Sequence, residues 1–166
     1  MYPYNTTTLQ EKSMEKLGNY ANKNDEDLLQ KDERLKDLVL IAQNDTRKLQ
    51  GDYAKLMEVG ILSEVKNLLQ TMYLDEVKHE KLLGEVLYLL EQEGNEEENG
   101  DLLTDLDVKN VIESLLLQEM DSATFYRALA NSIEGTSAIK DILNEIACNK
   151  QTHGTGLTYI FTKYFA

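Results

Sequence analysis

The sequence predicts an all-α protein, an antiparallel bundle of four helices, on three observations. The single proline stands at position 3, so the rest of the 166 residues lacks the side chain that most strongly interrupts helices. Apolar residues recur at three- and four-residue spacing in four separate stretches. Gly60, Gly94 and Gly135 fall between these stretches, where a chain leaving a helix needs conformational freedom.

The first stripe runs through Leu35, Val39, Ala42, Leu49, Tyr53 and Leu56, and Gly60 is expected to end it. Ser63 is a candidate cap for the second helix, whose stripe is Val65, Leu69, Met72, Leu83, Val86 and Leu90. Gly94 and the acidic run GNEEENGD then predict a solvated loop, without the ordered spacing of a calcium site. Thr104 and Asp107 bracket a capping-box-like start for Val108, Ile112, Leu115, Tyr126 and Leu129. After Gly135, Ser137 is placed to cap a fourth helix carrying Ile139, Ile142, Ile146, Leu157, Ile160 and Tyr164, with Gly154 and Gly156 expected to weaken its second half. Residues 31–166 form the expected bundle. Residues 1–30 have sparse apolar positions and read as a loosely attached helical arm, or as an extension of the first helix. Four helices with one apolar face each bury those faces most simply against one another. The connection between the second and third helices, about 12 residues, is just long enough to run the length of the bundle.

Composition narrows the partners. A formal net charge of −13 repels phosphate backbones and anionic lipid, so nucleic acid and membrane surfaces are not expected partners. No apolar run approaches the roughly 18 residues of a membrane span, and the N-terminus lacks a signal-peptide layout. The single Cys148 cannot form an intramolecular disulfide and reads as a small buried hydrophobe. A cytoplasmic location is the expectation.

Each apolar stripe is broken where a polar residue takes a core position: Thr46 on the first helix, Glu76 and His79 on the second, Glu119 on the third, Lys150 and His153 on the fourth. Glu76 and His79 form an E-x-x-H, which puts a carboxylate and an imidazole one turn apart on one face, the spacing for a shared metal ion. Thr46 lies 13 residues before Val59 and Glu76 lies 13 after Ser63; Glu119 lies 14 before Ile133 and Lys150 lies 13 after Ser137. All four breaks are therefore expected in one layer. The two hairpins also match each other. Thr46 precedes Glu76 by 30 residues and Glu119 precedes Lys150 by 31, a tyrosine (Tyr53, Tyr126) follows each first position by seven, and a histidine follows each second position by three.

On LDEVKHEKLL (74–83), LLLQEMDSATFYRALA (115–130) and ILNEIACNKQTH (142–153), the chain resembles the ferritin-like superfamily and its rubrerythrin-like branch over roughly residues 33–165. The resemblance implies a di-iron carboxylate site and redox chemistry with oxygen or peroxide, electrons from a separate donor protein, and pairing as a homodimer. Glu76, His79, Glu119 and His153 match four of its six ligand positions. Thr46 and Lys150 stand where two carboxylates belong; Asp45 is one residue, about 100°, off the first of these. Tyr53 and Tyr126 are candidate hydrogen-bond partners of the ligands, though stripe tyrosines are usually core. Three outcomes stay open: a di-iron site helped by Asp45, a single zinc or iron on the four matching residues, or no metal, with Lys150 compensating the buried carboxylates of a non-catalytic scaffold.

Overall fold

The computed structural model describes residues 27–90, 107–133 and 138–166, with side chains from Glu33 onward. The expected arm at 1–26, the GNEEENGD run, and the cap positions Thr104 and Ser137 lie outside the described residues. Four helices are present among the described residues: α1 (Asp27–Met57), α2 (Lys66–Leu89), α3 (Val108–Ser132) and α4 (Ala138–Phe165). A 3-10 turn, Gly60–Val65, joins α1 to α2.

Two helix starts differ from expectation. Ser63 sits inside the 3-10 turn, and α2 begins after Val65 with no side-chain cap. The turn's own backbone, including Lys66 N–H donating to Ser63 O, satisfies donors that a cap would otherwise serve. On α3, Asp107 is itself the cap, accepting from Asn110 N at 3.3 Å and from the Asn110 side chain at 2.7 Å.

The fourth helix runs unbroken to Phe165 despite Gly154 and Gly156. A Cβ at Gly154 would sit 3.2 Å from Met120 Cγ of α3, and one at Gly156 would collide with Met72 Cε of α2. Both glycines therefore let neighbouring helices approach, which offsets their helix-propensity cost of about 1 kcal/mol each.

Helix directions follow from paired residues. Arg47 meets Glu80 and Gln50 reaches the backbone of Glu76, so α1 and α2 are antiparallel. On α2 and α4, Lys78 pairs with Glu145 while Glu64, just ahead of α2, pairs with Lys163, again antiparallel. The contacts Glu119–His153 and Arg127–Gln151 set α3 antiparallel to α4. It follows that α2 and α3 point the same way.

The core divides accordingly. One apolar cluster holds Leu35, Leu38 and Val39 of α1 with Leu83 and Val86 of α2, Phe125 and Leu129 of α3, and Leu143 and Ile146 of α4. The other holds Leu49, Tyr53 and Leu56 with Leu69, Ile112, Leu115, Leu157 and Ile160. The end of α2 lies in the first cluster and the start of α3 in the second, at opposite ends of the bundle. Between the clusters lies a buried polar layer: Thr46, Glu76, His79, Glu119, Ser122, Lys150 and His153. Cys148, expected inside, is exposed. It falls between Ala147, which faces the core, and Asn149, which borders the layer, and a helix has only one inward stripe.

Candidate metal centre

Glu76 and Glu119 are fully buried, each contributed by a long helix whose apolar flanks fix its depth. Burying two carboxylates is costly unless positive charge or donors meet them. Lys150 Nζ supplies part of this. It lies 2.7 Å from Glu76 Oε2 and 3.2 Å from Glu119 Oε2, bridging the two acids. Burial alone would drive the Lys150 ammonium toward the neutral form, but Glu119 and Glu76 outweigh it and push its pKa above the usual lysine value. The Glu76 carboxyl feels the converse: burial favours protonation, yet Lys150, His153 and His79 hold it well below the usual carboxylate range.

The other two carboxylate oxygens face His153. Its Nδ1 is 3.2 Å from Glu76 Oε1 and 3.4 Å from Glu119 Oε1, while its Nε2 is 3.0 Å from Asp75 Oδ2. Burial would lower the His153 pKa, but carboxylates at both ring nitrogens push it up to about 10 in the metal-free protein. His79 Nδ1 is 3.3 Å from Glu76 Oε1, and its Nε2 meets the Asn149 side-chain amide at 3.1 Å. The two imidazole rings are 6.0 Å apart, centroid to centroid.

The layer has approximate two-fold symmetry, and the partners cross between hairpins. Tyr53 of the first hairpin donates to Glu119 Oε1 of the second at 2.5 Å. Tyr126 of the second lies near Thr46 of the first. Asp75 of the first holds His153 of the second, and Asn149 of the second holds His79 of the first. Burial, with nearby Glu119, keeps the Tyr53 phenol protonated well above the usual tyrosine range, and burial does the same for Tyr126.

Asp75 and Asn149 are partners of the two histidines that reading the sequence missed. A signal was present: each directly precedes the second ligand position of its hairpin, making the paired motifs D-E-x-x-H at 75–79 and N-K-x-x-H at 149–153. By sequence alone Asp75 looks like a solvated helix residue, and it is about one-third exposed. Its role depends on a histidine 78 residues away.

Whether these residues fit a metal can be asked of their own geometry. Glu76, Glu119 and His153 each bring a ligand atom within 4.8 Å of the others. His79 falls outside that mutual limit but reaches Glu76 Oε1 at 3.3 Å. A tetrahedral ion with bonds of about 2.0–2.1 Å spaces its ligand atoms about 3.3–3.4 Å apart. Three of the six separations among His79 Nδ1, Glu76 Oε1, His153 Nδ1 and Glu119 Oε1 have about that length, His79–Glu76 at 3.3, His153–Glu76 at 3.2 and His153–Glu119 at 3.4 Å, and His79 would have to move inward to complete the set. Three buried atoms of the layer, Glu76 Oε1, His79 Nδ1 and Glu119 Oε2, have no hydrogen-bond partner. Each histidine turns Nδ1 inward and anchors Nε2 on an outer polar group, the arrangement that fixes a ligating imidazole.

The donor set suits one ion. A second has no place, since Lys150 Nζ occupies the space between the carboxylates and Thr46 spends its hydroxyl on Ala42 O at 3.0 Å. Asp45 is half-buried and outside the converging group, so it does not replace the missing carboxylate.

No protein-family model matches the chain, and no curated protein or solved structure matches it either. Among the described residues no helix is long and apolar enough to cross a membrane.

Proposed function

We propose that this is a ferritin-like, rubrerythrin-like metal-binding protein in which Glu76, His79, Glu119 and His153 hold one divalent transition-metal ion, iron or zinc. The observation that carries this reading is the convergence of Glu76, Glu119 and His153, whose buried ligand atoms lie within 4.8 Å of one another, with His79 Nδ1 3.3 Å from Glu76 Oε1 on its edge. The parallel directions of α2 and α3 support the kinship, because ferritin-like bundles also run their second and third helices the same way. The crossed pairs Tyr53–Glu119 and Asp75–His153 support it further.

Paired-iron chemistry with oxygen or peroxide needs two metals sharing carboxylates, and here the Lys150 ammonium takes the second position. The reading therefore assigns a metal-binding role connected with iron handling, and no catalytic residue. A second reading, a helical scaffold or interaction protein with a permanently closed centre, is favoured by the same ammonium and by the carboxylates at both nitrogens of His153.

Calorimetric titration of chelator-treated protein with zinc, and anaerobically with ferrous ion, separates the two. One equivalent of either ion should bind to the wild type, and His79→Ala should lose at least about tenfold in affinity. Absence of binding in the wild type leaves the scaffold reading standing.

A further inference from the structure

The ammonium beside the proposed ion also bears on which oxidation state the site accepts. Lys150 Nζ contacts Oε2 of both Glu76 and Glu119, and the remaining oxygen of each carboxylate faces His153 Nδ1. An ion held by those oxygens would share both carboxylates with a fixed positive charge, inside a layer where Lys150, Glu76 and Glu119 are all at most 1% exposed. Resting on the one-ion reading above, we propose that Lys150 makes this a site for ions that stay divalent: bound iron is retained as Fe2+ and resists oxidation to Fe3+.

Counting charge gives the reason. Two carboxylates and one ammonium sum to −1, so a divalent ion with neutral imidazoles brings the layer to +1 and a trivalent ion to +2. Excess buried charge of one sign is penalised by desolvation and by repulsion that water cannot screen. Moreover, Tyr53 donates to Glu119 Oε1 at 2.5 Å, drawing electron density from an oxygen that would have to stabilise the higher charge. Asp75, a further acid beside the layer, acts through His153 and is one-third exposed, so solvent screens its field. A site with four carboxylates would carry three more negative charges, enough to accommodate ferric ions. The substitution at position 150 thus removes one negative charge and adds one positive charge at the point where oxidation would deposit its own.

The oxidation at issue is Fe2+ losing one electron: ferricyanide takes it and becomes ferrocyanide with no proton or bond exchanged, and in air four such electrons with four protons from the buffer reduce O2 to two waters. Wild-type protein is loaded anaerobically with one equivalent of ferrous ion. Its midpoint is read by ferricyanide titration and its oxidation rate in air by the rise of ferric absorbance. Cobalt(II), whose visible bands report tetrahedral coordination, is the independent check on binding. Bound iron should oxidise more slowly than free ferrous ion in the same buffer. Lys150→Met should oxidise roughly tenfold or more faster than the wild type, from loss of a buried charge a few ångströms away, while Lys150→Arg stays slow. Should Lys150→Met not fold, the wild-type comparison with free ferrous ion decides alone. Binding of cobalt or ferrous ion with oxidation as fast as free iron overturns this inference and leaves the one-ion reading intact; failure to bind either ion overturns both.

Discussion

The middle of the bundle and its two ends are built from the same four helices but are stabilised by different physics. At the ends, Leu, Val and Ile side chains from all four helices interlock, and burial of each contributes about 1.5–3 kcal/mol without regard to direction or charge. Loss of one such side chain leaves a cavity and a graded penalty. In the middle, every group depends on a specific opposite. Glu76 needs Lys150 and the histidines, Glu119 needs Lys150 and Tyr53, and His153 needs Asp75. Removing one member there leaves charge rather than space. Apolar ends can hold the helices in register whatever charges the middle carries, which is how a layer containing Lys150 between two carboxylates can sit inside an intact bundle.

The largest expected effect tests that contrast directly. Lys150→Met should destabilise the metal-free protein by about 3–5 kcal/mol, because two buried carboxylates lose their ammonium. Leu83→Ala, in the apolar end, should cost a comparable amount, about 2–5 kcal/mol. Zinc distinguishes them: it should recover more stability in Lys150→Met than in the wild type, whereas in Leu83→Ala its effect should be unchanged. Urea unfolding with and without zinc measures this, and equal zinc responses in the two variants would remove the distinction between layer and ends.

Dependence on pH should come from the layer alone in the neutral to alkaline range. In the metal-free protein His153 is pushed up to about 10 from an ordinary value of 6.5, so its ionic contacts contribute fully below pH 6.5 and are lost as pH rises toward 10. Glu76, held below the ordinary 4.5, contributes fully above that value and loses its contribution as pH falls beneath it. Denaturation midpoints should therefore decline on both sides of a plateau near pH 5–6. His153→Asn should flatten the alkaline arm, and Leu83→Ala should shift the profile without changing its shape. A wild-type midpoint that is constant from pH 6.5 to 10 would contradict the assignment.

Smaller effects sharpen the comparison. Asp75→Asn keeps the volume and a hydrogen-bonding group but removes the charge at His153 Nε2, and it should weaken zinc binding by about 10- to 100-fold with the fold retained. Asp107→Ala lies outside both regions and removes only a helix cap, so it should cost about 1 kcal/mol and leave zinc affinity unaltered.

Much of this was legible along the chain because helical periodicity is a local property. The four stripes, the one layer of polar breaks, and the level placement of Thr46, Glu76, Glu119 and Lys150 follow from counting residues at a fixed rise per residue. Local capping was less legible. The 3-10 turn over Gly60–Val65 displaced Ser63 from its expected role, since backbone hydrogen bonds compete with side-chain caps over a few residues. Cys148 was misplaced because one position on a helix face separates inside from outside.

By itself, then, the sequence determined four helices, their apolar faces, and which six positions interrupt them, because each of these is set within a few turns of one helix. Only the tertiary structure decided that Lys150 bridges Glu76 and Glu119, that Asp75 and Asn149 hold the histidines of the opposite hairpins, and that α2 and α3 run the same way. Those facts join residues about 30 to 80 positions apart, and such pairings depend on how helices rotate and settle against one another, which no single helix's pattern encodes.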